Sequence, residues 1–475
     1  MRNLVSILAL TAAFIAPLAQ PALAAAPDRS GDGEPQFRAL YKELIETNTT
    51  LSAGSCTQAA ERMAARLTAA GYPDSDIHVF STPEKPKDGG LVATLPGSDP
   101  KAKPILLLAH IDVVEANRAD WERDPFTLIE ENGYFYGRGT LDDKAMAAIF
   151  TDLLVRFRQE GYTPRHTVKL ALTCGEETSG AFNGASYLST QHKDWIDAEF
   201  AINEGGSGEL DANGKPVIFG VQAAEKVFQN FQVETTNPGG HSSQPVPKNA
   251  IYDMAIALNK LSAVEFPVQF NDTTRAYFTR MADIKGGETG AAMRALVANP
   301  QDAAANAIVS QDKKWHSMLR TTCVATVIDG GQATNALPQR VDTNVNCRIL
   351  PGVPVETVRQ ALVDAIADPN VAVTVKPPLS LATPSPSLNP VVMTAINDVS
   401  AKLYPGVPVV PAMSTGATDG IYTTAAGIPT YGVSGIFVDP DFSNIHGRNE
   451  RVRVKALMDG RRFQYLFIKR LADRK

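Results

Sequence analysis

Apolar residues recur every three to four positions over 36–47 and again over 58–70, where Gly71-Tyr72-Pro73 supplies a stop, so two amphipathic helices are expected there. The period then changes. Short apolar runs at 77–81, 90–95 and 105–109, bounded by Pro and Gly, read as buried strands. A long helix is expected over 140–160, a strand over 167–173, a helix over 184–192 and a strand over 199–203. Strand and helix alternate, which predicts a layered α/β domain with a mainly parallel sheet.

From about Lys226 the pattern shifts. A strand at 229–236 leads through Pro238-Gly239-Gly240-His241 to a helix at 250–262, then to a long Ala- and Asp-rich stretch ending near Met318. Strands at 322–328 and 341–349 and a helix at 355–366 complete a strand-helix-strand-strand-helix-strand unit with an insertion. Residues 226–376 therefore read as a small α+β, ferredoxin-like domain set between two parts of the larger one, 27–225 and 377–475. The α/β pattern returns at 390–403, 407–411 and 429–433, and a last helix runs over about 455–471.

Composition fits this division: 475 residues with 44% hydrophobic content exceed what one core normally serves. Lys+Arg 45 against Asp+Glu 51 leaves a net charge of -6 with no basic block, so nucleic acid is excluded as a partner. Residues 1–26 read as a signal peptide, with Arg2 ahead of an apolar run over 4–19 and Ala22-Leu23-Ala24 as the cleavage site. The expected location is outside the cytoplasm, periplasmic or secreted. The apolar run falls short of the ~20 residues of a spanning helix, and no later stretch suits a membrane, so no membrane partner is expected after cleavage.

Four cysteines, Cys56, Cys174, Cys323 and Cys347, remain in the mature chain. An antiparallel return between the strands at 322–328 and 341–349 sets Cys323 opposite Cys347 if the register is symmetric; two reduced buried thiols fit the pattern equally. Cys174 has no histidine at a motif spacing, so it reads as packing and not as a nucleophile.

Chemistry gathers at strand exits. His110-Ile111-Asp112 follows the strand at 105–109, where open α/β sheets place ligands, and residues i and i+2 face one side. A neutral imidazole ligates metal well, and a neighbouring carboxylate fixes its tautomer. Asp142 lies in the turn Tyr136-Gly137-Arg138-Gly139-Thr140-Leu141-Asp142-Asp143-Lys144, where a carboxylate can reach two cations; helix capping by Asp142 or Asp143 is the alternative. Glu176-Glu177 follows the strand at 167–173, so one carboxylate can bind metal while the other accepts a proton from water. Glu204 ends a further strand, and His446 lies in Asn444-Ile445-His446-Gly447-Arg448.

With these fragments in this order, the sequence from about Gln36 to its end resembles the metallohydrolase family of glutamate carboxypeptidase, aminoacylase, acetylornithine deacetylase, succinyl-diaminopimelate desuccinylase and carnosinase. The resemblance implies a catalytic domain carrying an inserted lid at 226–376, and two zinc ions per chain, with Co2+ or Mn2+ able to substitute. His110 and Glu204 are implied as ligands of one ion, His446 and Glu177 of the other, with Asp142 bridging. Glu176 is the implied general base, and Asp112 the residue holding His110. Of the implied substrate contacts, His241 stabilises the oxyanion and in some relatives comes from the second subunit of a dimer formed through the lid. Arg348 grips a substrate carboxylate. Asn335 assists, and Gly416 lies with Asp419 in a substrate-binding turn. Glu115 stands where relatives often carry proline.

A glutamate at position 204 goes, in that family, with carboxypeptidases and deacylases. The expected function is cleavage of an amide or peptide bond next to a free C-terminal carboxylate, carboxypeptidase type, on a small peptide. The alternatives are an N-acyl-amino-acid deacylase and a ligand-binding relative without chemistry, against which the intact Glu176 counts.

Overall fold

Every side chain of the strand Ile105–His110 is buried, which requires a covering layer on each face of the sheet that holds it. The structure, a computed structural model, describes residues 28–178, 182–381 and 383–475; the signal peptide expected over 1–26 lies outside the described residues. Ile105–His110 sits in a ten-stranded sheet, flanked in parallel by Val168–Thr173 and Phe200–Asn203, with Thr430–Gly432 parallel to the latter. Antiparallel strands extend the sheet outward, Lys85–Leu95 and Ile77–Thr82 on one side, Pro216–Glu225 and Gly208–Leu210 on the other. Ile105, Leu107 and Ala109 join the core built with helices Glu34–Ile45, Cys56–Ala69, Lys144–Gln159 and Val454–Ala472. Leu106 and Leu108 face the opposite layer, with Leu188 of helix Gly184–Gln191 and Ile196. The mixed α/β class with a largely parallel central sheet is thus observed.

Two details depart from expectation. The long helix starts at Lys144, not near 140, because the Glu450 carboxylate accepts the N–H groups of Gly139 (3.1 Å), Leu141 (2.9 Å) and Asp142 (3.2 Å) and holds those residues as a turn. Neither aspartate caps the helix through its side chain: Asp143 occupies the N-cap position with no side-chain cap bond, and Asp142 is left for other work. The strand Pro216–Glu225 is a second departure; its apolar and small residues lack the alternation that marks a half-buried strand.

The inserted unit is a four-stranded antiparallel sheet in the order Thr322–Gly330, Arg340–Ile349, Val227–Thr236 and Val371–Val375. Val227–Thr236 and Arg340–Ile349 alternate strictly between buried and half-buried positions, the buried set packing on helices Ala250–Ser262 and Val355–Ile366. The Ala- and Asp-rich stretch is helical, as Asp272–Lys285, Gly287–Ala298, Ala303–Val309 and Lys313–Met318. These helices share a core with Val410 and Met413 of the strand Val409–Ser414, which ties the insertion to the large sheet. Among the described residues no helix is long and apolar enough to cross a membrane.

Cys323 and Cys347 are register partners and form a disulfide. Cys174 is not a free packing residue: it is bonded to Cys56 at the start of helix Cys56–Ala69, two residues before Glu176. The two cysteines lie 118 residues apart, and nothing in their local patterns pairs them.

Candidate metal centre

The parallel register aligns the exits of three strands. His110 is the partner of Thr173, and Leu107 that of Ile202, so the segments after His110, Thr173 and Asn203 leave the sheet side by side. Asp112, the Glu176-Glu177 pair and Glu204 are delivered there together. Asp142 lies between two imidazoles: its Oδ1 is 3.2 Å from His110 Nε2, and its Oδ2 is 3.1 Å from His446 Nε2. Glu204 Oε1 lies 3.7 Å from His110 Nε2 and Glu177 Oε2 2.9 Å from His446 Nε2. Two sets of ligating atoms, from His110, Glu176 and Glu204 and from His110, Asp142 and Glu177, each lie within 4.8 Å of one another.

Asp112 has two tasks here. Its backbone oxygen lies 3.1 Å from His110 Nδ1 and its carboxylate 3.5 Å, which leaves Nε2 turned to the cluster. The same carboxylate accepts the N–H groups of Glu176 (3.3 Å) and Glu177 (3.0 Å), fixing the acidic loop to the histidine strand.

The electrostatics follow from crowding. Burial pushes the Glu176 and Glu204 carboxyls well above the ordinary range against the opposing pull of His110, and their carboxylate neighbours push the same way. Burial also raises Asp143. Asp142 goes the other way: burial opposes its ionisation, but hydrogen bonds to His110 and His446 hold it below the carboxylate range. Contacts with Asp142 and then Glu177 raise His446 to about 10. Burial works against a charged His110, yet Glu204, Asp112 and Asp142 outweigh it and hold the imidazole well above its usual value. Four carboxylates converging on two imidazoles, with two of the four forced toward neutrality, form a donor set that divalent cations fit.

Supporting residues outside the expected set hold these groups in place. Buried Arg138 pairs with Glu450 at 2.8 Å, stacks on Trp121 at 4.9 Å and donates to Gly447 O at 3.0 Å, so one side chain joins the Asp142 turn to the His446 loop. In that loop Ser443, Asn444, His446 and Asn449 take φ values of 56°, 58°, 60° and 56°, a region costly for non-glycine residues. Ion pairs Arg451–Asp441 (2.6 Å) and Arg453–Asp439 (2.7 Å) help to fix it.

Asp419 follows Gly416 in the turn between the strand Val409–Ser414 and the helix Gly420–Ala425. It is buried and accepts from Thr173 Oγ1 and Asn183 Nδ2, both at 2.7 Å, while Asn183 also donates to Gly175 O at 3.2 Å. Asp419 thus braces the Glu176 loop from below. Gly416 N–H donates to Ser414 Oγ at 3.1 Å in the loop above. Glu115 accepts from the backbone and hydroxyl of Ser52 at 2.9 and 2.8 Å.

The lid candidates stand apart from the cluster. His241 is exposed on a short ribbon in which it pairs with Ala336, and Ser242 N–H donates to Asn335 O at 3.0 Å, so His241 and Asn335 are neighbours. Arg348 is half-buried on Arg340–Ile349 and stacks on Phe228 at 4.9 Å. Among the described residues, none of the three forms a hydrogen bond or ion pair with the five candidate ligands.

The family described as Peptidase family M20/M25/M40 matches residues 106–470. The human N-fatty-acyl-amino acid synthase/hydrolase PM20D1 is 29% identical over 371 residues, 76% of this chain and 73% of that protein. Carboxypeptidase S of Saccharomyces cerevisiae is 28% identical over 287 residues, 58% of this chain and 50% of its own. In fold, the M20 family metallo-carboxypeptidase Sso-CP2 of Sulfolobus solfataricus aligns over 92% of this chain and 99% of that one, with a TM-score of 0.68 at 17% identity.

Proposed function

The chain belongs to peptidase family M20/M25/M40, and from that premise we propose that it is an exported two-zinc hydrolase cleaving an amide or peptide bond beside a free C-terminal carboxylate. The observation that carries the reading is the position of Asp142, whose two oxygens face His110 and His446 separately. His110, Glu204, His446, Glu177 and Asp142 would hold the zinc, which would supply Lewis acidity toward water and the scissile carbonyl.

The chain's own groups do the rest. Glu176, whose carboxyl burial raises above its ordinary range, takes a proton from the attacking water and returns it to the leaving amine. Asp112 keeps that loop and His110 in register. His241 Nδ1 accepts the Ser243 N–H at 3.1 Å, so the ring's proton sits on Nε2, free to be donated to an oxyanion when the lid closes. Arg348, with no ion pair of its own among the described residues, takes the substrate carboxylate. N-acyl-amino-acid hydrolysis is the second reading, favoured by the likeness to PM20D1, and it uses the same anchor.

Metal analysis with the Glu176→Gln variant tests the chemistry. The variant is expected to keep its metal and lose activity by about 10³-fold or more; comparable loss of both would make Glu176 a ligand. A panel of blocked dipeptides and N-acyl amino acids, read for the released amino acid, separates the two substrate classes.

Two further parts of the proposal have their own support. Both disulfides suit an oxidising compartment; protein recovered from outside the cytoplasm should begin near residue 27 and show no free thiol. Self-association through the lid is supported by Thr322–Gly330, an edge strand on which Val324 and Val327 are exposed beside Ile251, Tyr252 and Ile256 of helix Ala250–Ser262. Light scattering should give a dimer that Val327→Lys dissociates, and a wild-type monomer at micromolar concentration would rule it out.

A further inference from the structure

A second concentration of buried charge, opposite in sign to the metal centre, lies where the large sheet crosses into the lid. Lys226 stands between the strands Pro216–Glu225 and Val227–Thr236 and is fully buried. Its backbone N–H donates to Ser414 O at 3.1 Å, in the large sheet. Its Nζ donates to Ser317 Oγ (3.1 Å) at the end of the helical insertion and to Thr322 Oγ1 (3.2 Å) at the start of the lid's edge strand. No carboxylate pairs with it among the described residues.

Arg348 is the cross-strand partner of both Thr322 and Phe228, so the hydroxyl that receives Lys226 belongs to the strand pair that carries Arg348. Arg320, also buried, completes the group, with Glu265, Asn306 and Ser310 as partners and His316 Nδ1 at 3.3 Å. Three basic groups therefore lie together with one carboxylate among them, Glu265, which pairs with Arg320. Buried Arg138 and Arg461, by contrast, each meet a carboxylate of their own, at 2.8 and 2.7 Å, while buried Lys144 meets only the Thr47 carbonyl, at 2.7 Å. Buried charge without a counter-ion is costly unless a ligand brings one.

We propose that Lys226 is a positioning residue for the substrate carboxylate: held by Ser317 and Thr322 behind Arg348, it adds a second positive charge to that anchor and sharpens the choice of free acids over neutral amides. This rests on the reading of Arg348 given above. Ammonium and guanidinium together offer a carboxylate a stronger field than the guanidinium alone, and the low-dielectric surroundings make the added charge count. Burial, then Arg348 and Arg320, lowers the Lys226 ammonium to about 7, so the preference for free acids fades as pH rises through that value. The charged groups facing it are Arg348 from the lid strand and Arg320 and His316 from the end of the insertion, with Glu265 behind Arg320; Glu225, its chain neighbour, is turned to Thr418 Oγ1 at 2.9 Å.

The test compares an N-acyl amino acid with its C-terminal carboxamide, the second as substrate or competitive ligand, on the metal-loaded enzyme. Lys226→Gln keeps donors for both hydroxyls and removes the charge. It should raise KM for the free acid about tenfold, leave kcat within about twofold and leave binding of the carboxamide unchanged, with Lys226→Arg restoring most of the affinity. Equal effects on acid and amide, or none, while Arg348→Met remains selective against the acid, would overturn the role of Lys226 alone. An Arg348→Met variant that does not discriminate would instead remove the reading on which this one rests. Should Lys226→Gln fail to fold, the wild-type ratio of KM for acid and amide decides: it should rise between pH 6 and pH 9 by roughly the same factor, and a flat ratio would overturn the proposal.

Discussion

The acidic cluster at the strand exits, its exposed His446 excepted, and the basic junction around Lys226 are both largely buried and both short of counter-charge, yet they differ in how they are held. The first is crowded, with the oxygens of Asp142 within 3.2 Å of two imidazoles. The second is sparse, with Lys226 held only by hydroxyls at 3.1 and 3.2 Å and Arg348 by an aromatic face. Elsewhere matched pairs such as Arg461–Asp152 and Arg138–Glu450 fix elements to one another. The proposals made above give the two places ligands of opposite sign: cations at the cluster and a carboxylate at the junction.

Asp142→Asn should have the largest effect on this contrast. Removing the one carboxylate that faces both histidines is expected to strip metal from both positions and cost about 10³-fold or more in activity; full metal content by elemental analysis would show that the cluster is matched without it. A smaller effect is expected of Glu225→Gln, which asks whether Lys226 has a hidden partner in its chain neighbour. Burial raises the Glu225 carboxyl to about 7 from its ordinary 4.5, against the hydrogen bonds from Thr418. The native state then binds the extra proton between those values, so this group's contribution to stability falls as pH rises through the window and is constant above it. Glu225→Gln should remove that fall, gaining on the order of 2 kcal/mol relative to wild type at pH 8 and little at pH 4.5. Urea unfolding at the two pH values checks it. A variant destabilised equally at both would identify Glu225 as the missing counter-ion of Lys226.

Much of the catalytic architecture is legible in the chain because strand exits announce themselves. Ile105–His110 is apolar until its last residue, and Glu204 follows directly on Phe200–Asn203. The helical insertion was read only as an Ala- and Asp-rich stretch: its N-caps Asn271, Asp302 and Asp312 each accept a backbone N–H of their own helix, but the alanine-rich helices between them carry weak amphipathic signals. Glu450, Asp419 and the Cys56–Cys174 bond were not legible. Each acts on a partner more than a hundred residues away, Asp419 on Thr173 and Glu450 on Arg138, and no local period records such a pairing.

The order of apolar and polar residues alone determined that this chain would form a strand-helix layered domain with a second α+β unit inside it, and which side chains would emerge at strand ends. Only the tertiary structure decided that Asp142 divides its oxygens between His110 and His446, that Asp419 accepts from Thr173 and Asn183, and that Lys226 is buried beside Arg348. Local periodicity follows from backbone geometry a few residues at a time, whereas charge balance depends on every group that packing brings within a few ångströms, wherever it stands in the chain.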